Sequence, residues 1–221
     1  MKTIIKDALI LFVITLVAGV LLGFVYEVTK DAREEQAEIK KNNAYKEVFV
    51  DYLGEVDAYK DKDLSGLTFT EYELLSKENL DTILKDAGYG ESVVTVDSVA
   101  EATLDGVVIG YAVTVTSKEG YDGDIQFTVG IMADGTVSGL SYLSISETPG
   151  LGMNAKEEAF VNKFVGKNGG NFIANKDNVS GLKNEIDAIS GATITTRAVI
   201  KGVNAAYITV LTITDGGDVN E

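Results

Sequence analysis

Residues 8–26, ALILFVITLVAGVLLGFVY, carry no charged side chain. A helix through them rises about 28 Å, enough to cross the hydrocarbon core of a bilayer. Ile4 and Ile5 extend the apolar character toward the N-terminus. A cleaved signal peptide has a shorter apolar core, closed by a small-x-small site and then a break. Here the run is long and passes straight into helix-forming sequence. The expectation is an uncleaved, single-pass anchor over residues 1–29, with membrane lipid around it and no cysteine for a lipoprotein linkage. Lys2 and Lys6 flank one side; Lys30, Arg33, Lys40 and Lys41 flank the other among many acids. The positive-inside count therefore does not set the orientation, and large domains cross regardless of charge.

A hydrophobic content of 45% over 221 residues suits one anchor plus one compact domain, or two small ones. Residues 27–53 keep helical character, with Ala32, Ile39, Val48 and Phe49 apolar among charges and Gly54 as a stop. A second helix fits residues 77–87, where Leu80, Ile83, Leu84 and Ala87 share a face and Gly88 follows. Residues 30–90 thus read as a helical stalk and helix.

The period then changes to two. Val107, Ile109, Tyr111, Val113 and Val115 alternate with other residues, as do Ile125, Phe127, Val129 and Ile131. Asp105-Gly106 and Asp134-Gly135 are hairpin signals. Residues 93–146 read as an antiparallel meander of four strands. Asn154 and Glu157 have capping-box spacing, and Phe160 and Phe164 share a helix face. A last helix fits residues 197–210, with Val199, Val203, Ala206, Tyr207 and Val210 inward. The fold class is α+β, with the domain over residues 91–213 and a flexible tail over 214–221.

With Cys 0 and His 0, several chemistries are excluded: disulfides, thiolate zinc, Cys-ligated iron–sulfur, His-ligated haem and His-based triads. A carboxylate site for calcium or magnesium remains open, but no ligand set for a metal stands out. A formal net charge of -15 repels nucleic acid and disfavours loose capture of any phosphate-bearing ligand.

Two loops hold more than connectors need. In Glu147-Thr148-Pro149-Gly150-Leu151-Gly152, the chain's single proline biases Thr148 to extended backbone, and Pro149-Gly150 suits a type II turn. Gly152 permits a second bend or a close approach. Leu151 then stands at a loop tip and needs an apolar partner. In Ile189-Ser190-Gly191-Ala192-Thr193-Ile194-Thr195-Thr196, Thr195 or Thr196 can cap the helix expected from Arg197. That helix N-terminus, with Arg197 able to add charge, can seat a phosphate, and Gly191 and Ala192 permit close approach, although taken alone the stretch reads equally as a plain capped turn.

Asp187-Ala188-Ile189-Ser190-Gly191-Ala192-Thr193 resembles the flavinylation motif of the FMN-binding domain family, Asp-x-x-Ser/Thr-Gly-Ala-Thr. The Glu147 to Gly152 loop resembles that family's other signature. Gly120-Tyr121-Asp122-Gly123-Asp124-Ile125 and Val129-Gly130-Ile131 fit its strand pattern, although Asp124 stands where proline is common. One anchor ahead of such a domain resembles the layout of the RnfG component of Rnf electron-transport complexes, and of the NqrC component of the sodium-pumping NADH:quinone reductase.

The resemblance implies FMN joined by a phosphoester to Thr193, installed from FAD by a separate flavin transferase that recognises Asp187. On that reading Leu151 and the 147–152 backbone, including Gly150, are the candidates to pack on the ring, and Thr148 is a candidate to bond a ring heteroatom. Ser190, Thr195 and Thr196 then lie near the phosphate or the turn. Glu147 is either part of the site or a solvated loop carboxylate. A phosphate tether suits a chain without His or Cys, and it holds an anionic cofactor on an acidic protein. The implied role is an electron-transfer subunit without its own substrate pocket, beside other membrane subunits of an Rnf-type complex that couples ferredoxin and NAD to Na+ or H+ transport. The domain then lies outside the cytoplasm. The rival readings are the NqrC-like component of the quinone reductase and a cofactor-free anchored adaptor domain.

Overall fold

The computed structural model describes residues 2–72, 77–175 and 184–214. The tail expected over 214–221 lies, from residue 215, outside them. The chain forms two compact units, Met1–Lys40 and Lys41–Glu221.

Helix α1 (Lys2–Glu55) begins in the first unit and runs through the apolar stretch without a break. Every large apolar side chain from Ile4 to Tyr26 is exposed. A helix apolar all round and bare of protein partners suits lipid rather than water. The Thr15 hydroxyl donates to the Leu11 and Phe12 carbonyls at 3.1 and 3.0 Å, so it needs no outside acceptor. Past the apolar run, Arg33 folds back over the Tyr26 ring at 4.3 Å and donates to the Tyr26 carbonyl. Among the described residues, this is the one helix long and apolar enough to cross a membrane, judged by length and composition.

The second unit is built on a five-stranded antiparallel sheet in the order β1-β2-β3-β4-β5. The strands are β1 (Thr68–Glu71), β2 (Val94–Leu104), β3 (Val107–Ser117), β4 (Ile125–Met132) and β5 (Val137–Ser144). Asp105 and Gly106 have φ of 53° and 80°, the type I′ geometry that their sequence predicts for the β2–β3 hairpin.

Alternation along the strands gives the sheet two apolar faces. On one, the end of α1 buries Tyr45, Val48, Phe49 and Leu53 against Ala100, Ala102, Ile109, Ala112 and Met132. Gly130 and Gly139 lie under Val48: a Cβ on Gly139 would stand 2.9 Å from the Val48 Cα. On the other face, α4 (Thr193–Thr214) and α2 (Lys77–Asp86) join Val113, Val115, Phe127 and Val129. A Cβ on Gly202 of α4 would stand 2.5 Å from the Phe127 ring, so this helix too packs at backbone distance.

The architecture is α+β, as the patterning predicts, with differences in detail. The sheet has five strands rather than four, since β1 lies within residues 30–90, where only helix was expected. TFTE is a short edge strand with no apolar alternation; Phe69 holds it by packing 5.7 Å from the Tyr45 ring and 5.9 Å from Phe49.

The Asn154 capping box does not form. Ala155 and Gly152 are drawn into the interior, which tightens Gly152–Lys156 into a 3₁₀ turn. Asn154 donates to the Gly150 carbonyl instead, and the short helix α3 (Glu158–Val161) begins after Glu157 without a side-chain cap. Phe160 and Phe164 do meet, at 5.5 Å. Two short strands, β6 (Ile173–Asn175) and β7 (Glu185–Asp187), pair in parallel between α3 and α4.

Candidate functional site

The loop after β5 turns as its residues require. The Leu151 N–H donates to the Thr148 carbonyl at 3.1 Å, and Gly150 has φ of 74°. These are the marks of a type II turn with Pro149 and Gly150 at its centre. Leu151 is left at the tip, and Gly191, itself at φ 74°, faces it: a Cβ there would lie 3.0 Å from Leu151 Cδ2. The two loops singled out in the sequence therefore meet.

Glu147 lies beneath this junction and is only 6% exposed. Its Oε1 accepts the Tyr121 N–H at 2.8 Å, and its Oε2 accepts the Thr195 hydroxyl at 3.0 Å. The solvated-carboxylate reading is thus overturned. The side chain ties the β3–β4 turn, the 147–152 loop and α4 to one another. Gly152 completes the joint, since a Cβ there would stand 2.5 Å from Glu147 Oε2 and 2.7 Å from Thr195 Oγ1.

Helix α4 begins at Thr193, not near Arg197. The Ala192 carbonyl accepts the Thr196 N–H at 3.0 Å, the first bond of the helix. Thr195 and Thr196 are consequently not caps. They lie within the first turn, 1% and 0% exposed. Thr195 is committed to Glu147. Thr196 accepts from the Ile189 N–H at 3.0 Å and donates to the Ala192 carbonyl at 2.9 Å. Thr193 differs: it is half-buried, and its hydroxyl has no hydrogen-bond partner among the described residues.

Glu147, Thr148, Leu151, Gly152, Gly191, Ala192, Thr193 and Thr195 all line one cleft of about 510 Å³. Tyr121 and Ile194 complete its wall. Gly150 and Ser190 are exposed nearby without lining it, and Thr196 lies behind it. Asp187 is exposed at the end of β7.

The cleft suits a flavin mononucleotide on three counts. Its volume is that of a small-molecule site. The first N–H groups of α4, free of intrahelical acceptors, and the helix's positive end favour a phosphate beside Thr193. Leu151, Ile194 and Tyr121 are large apolar side chains left 42%, 51% and 69% exposed around one opening, a wall for a flat ring. The sequence reading missed Tyr121 and Ile194 as wall residues. An aromatic set in Gly-x-x-Gly, and an isoleucine in a row of hydroxyl residues, were the signals to follow.

Comparison with known proteins gives the same picture from another direction. Residues 120–208 match the family model of the FMN-binding domain, and residues 1–48 match that of the RnfG N-terminal region. The G component of the Na(+)-translocating ferredoxin:NAD(+) oxidoreductase complex of Acetobacterium woodii is 31% identical over 204 residues, 92% of this chain and 89% of that one. The G component of the proton-translocating ferredoxin:NAD(+) oxidoreductase complex of Clostridium ljungdahlii is 44% identical over 108 residues, 49% of this chain and 57% of that one. The crystal structure of Shewanella oneidensis NqrC is similar with a TM-score of 0.52, covering 80% of this chain and 96% of that one. At 18% identity that likeness is one of fold.

Proposed function

The chain belongs to the RnfG family, a component of ion-translocating ferredoxin:NAD oxidoreductase complexes, and on that premise we propose that it carries FMN on the Thr193 hydroxyl and relays electrons between neighbouring subunits of such a complex. Its FMN-binding domain makes it a flavoprotein and an electron-transport component of a membrane complex. The observation that carries the tether is the contrast among the threonines. Thr195 and Thr196 are buried and bonded, while Thr193 opens on the cleft at the head of α4.

In the attachment step the Thr193 oxygen forms an ester bond to the flavin-side phosphorus of FAD. The pyrophosphate bond breaks, AMP leaves, and the hydroxyl proton passes to a base of the flavin transferase or to AMP. Asp187, exposed six residues before Thr193, is the feature for the transferase to grip. The bound flavin supplies one- and two-electron transfer. This chain's own residues would position it: Leu151 and Ile194 would offer an apolar wall to the ring, Thr148 a hydroxyl to a ring heteroatom, and the α4 N-terminus, with Arg197 one turn on, a favourable field for the phosphate. Glu147, with both oxygens occupied, holds the walls together rather than the ligand. The quinone reductase reading shares this chemistry, but the relative matched along 92% of the chain belongs to a ferredoxin:NAD complex.

Full-length chain made together with a flavin transferase is expected to keep in-gel flavin fluorescence after denaturation. Thr193→Ala abolishes it, while Thr195→Val and Thr196→Val keep it in whatever fraction folds. A dark wild type overturns the covalent reading; FMN found by mass spectrometry on Thr195 or Thr196 overturns the site. The anchor is read as single-pass in the cell membrane with its domain outside the cytoplasm. Because the chain has Cys 0, an Asp122→Cys chain offers one thiol. A membrane-impermeant maleimide is expected to label it in intact cells; labelling only after lysis reverses the orientation.

A further inference from the structure

We propose that Lys163 and Lys167 form a two-point clamp on β7, and that this clamp sets the flavin-attachment loop in the form a transferase accepts. The inference rests on attachment at Thr193.

Strand β7 leads directly into that loop; Ile186 at its centre is fully buried in the core, while the backbone on either side, at Glu185 and Asp187, is held by little else. It pairs in parallel with β6 over Ile173↔Glu185, Ala174↔Ile186 and Asn175↔Asp187, and among the described residues these two strands form a sheet of their own. A two-stranded parallel pair of this length has no independent stability. The Ile173 N–H donates to the Asn184 carbonyl at 3.0 Å, so that carbonyl faces β6. Carbonyls alternate along a strand, which turns those of Glu185 and Asp187 to the opposite edge.

At that edge two ammonium groups take the place of a neighbouring strand. Lys167 Nζ donates to the Glu185 carbonyl at 2.7 Å and Lys163 Nζ to the Asp187 carbonyl at 3.0 Å. Donors four residues apart thus meet acceptors two residues apart. Their base is fixed: Phe164, between them in sequence, is fully buried, with its ring 5.5 Å from Phe160 and 5.7 Å from Phe172. Burial draws the Lys167 ammonium below the ordinary lysine value, against the opposing pull of the Asp187 and Glu185 carboxylates. A lysine free to reach water sheds that cost. The Asn184 amide adds a third tie, donating to the Gly170 carbonyl at 2.6 Å and to that of Gly169.

The consequence reaches Thr193 along a short, bonded path. Ala188 N–H donates to Asn175 at 3.2 Å, Ile189 N–H to the Thr196 hydroxyl at 3.0 Å, and Ala192 N–H to Ile189 at 2.9 Å. The clamp holds the Asp187 backbone while its carboxylate stays exposed, so it sets the direction from that carboxylate to the Thr193 hydroxyl. A transferase that reads one and modifies the other depends on that direction. Lys163 and Lys167 are positioning residues, since neither lines the cleft.

The test uses full-length chain in detergent with limiting transferase and FAD. Initial flavinylation rate is read by in-gel fluorescence, backbone order at residues 184–190 by hydrogen exchange, and global stability by thermal melting. Lys163→Met plus Lys167→Met is expected to slow flavinylation about tenfold or more and to speed exchange at 184–190 by a similar factor. The melting midpoint should move far less than those two readouts. Each single Met variant shows the same direction and serves if the double variant does not accumulate. Against the single Lys163→Met variant, Lys163→Arg, which keeps the donors, restores the rate, and Lys156→Met, the same loss of one charge elsewhere, leaves it unchanged. A wild-type rate in the double variant, equal losses in Lys163→Met and Lys163→Arg, or an equal loss in Lys156→Met overturns the clamp. A wild type that takes no flavin fails the attachment reading instead, and exchange at 184–190 in the unmodified chain still judges the clamp.

Discussion

At the scale of single residues, Glu147 and Gly152 illustrate what a sequence hides. The motif Glu147 to Gly152 stands out by its glycines and proline, yet nothing in it says that the carboxylate points inward. That depends on the Tyr121 N–H and the Thr195 hydroxyl, supplied by distant parts of the chain. The threonine row was equally ambiguous, because three hydroxyls in a turn are interchangeable until the first helical bond is known. Once Ala192 accepts from Thr196, the helix starts at Thr193, and helical geometry turns the next two hydroxyls inward. Gly152→Ala tests the joint. Its methyl meets two polar atoms inside 3.0 Å, and neither can yield without losing its hydrogen bond. The expected cost is about 1–3 kcal/mol, read as a lowered melting midpoint, with reduced flavin loading because the cleft wall opens. An unchanged midpoint shows that the Glu147–Thr195 contact moves aside at little cost.

At the scale of elements, the long helix, the α2 helix and the β2–β3 hairpin were legible because each rests on local signals. Period, a positive-φ pair and a glycine stop suffice for them. What was not legible rests on tertiary partners: β1 through Phe69, the 3₁₀ turn through buried Ala155, and β6–β7 through the Lys163 and Lys167 side chains that follow α3. The docking of α1 on the sheet falls between the two. Its apolar stripe was visible at Val48 and Phe49, but the glycine patch that receives it was not. Gly130 and Gly139 oppose one another across β4 and β5, and both lie under Val48. Gly139→Ala therefore pushes on backbone rather than on a flexible side-chain end. It is expected to destabilise the domain by about 1–3 kcal/mol, measured by thermal unfolding of the full chain. A neutral result shows that α1 rides higher on the sheet than the contact at Val48 implies.

At the scale of the whole molecule, charge and covalency bear on the same problem. A net charge of -15 surrounds a site meant for an anionic phosphate. The local field is opposite in sign, since the α4 N-terminus and the exposed Arg197 both favour an anion. The two terms differ in range. The helix end acts within about one turn. The summed surface charge acts over about 10 Å at 0.1 M salt and farther when salt is dilute. Salt removes the long-range repulsion first and leaves the short contacts nearly intact. Thr193→Ala chain, which lacks the hydroxyl proposed for the tether, isolates the balance. It is expected to bind free FMN weakly, and to bind it more tightly as sodium chloride rises from about 0.02 to about 0.3 M. That trend is opposite to ordinary capture of a phosphate by a basic site. Fluorescence titration at several salt concentrations reads it directly. If affinity falls with salt, the local field of the α4 terminus outweighs the acidic surface. The proposed tether would then serve to fix the flavin's orientation for electron transfer, not to overcome repulsion.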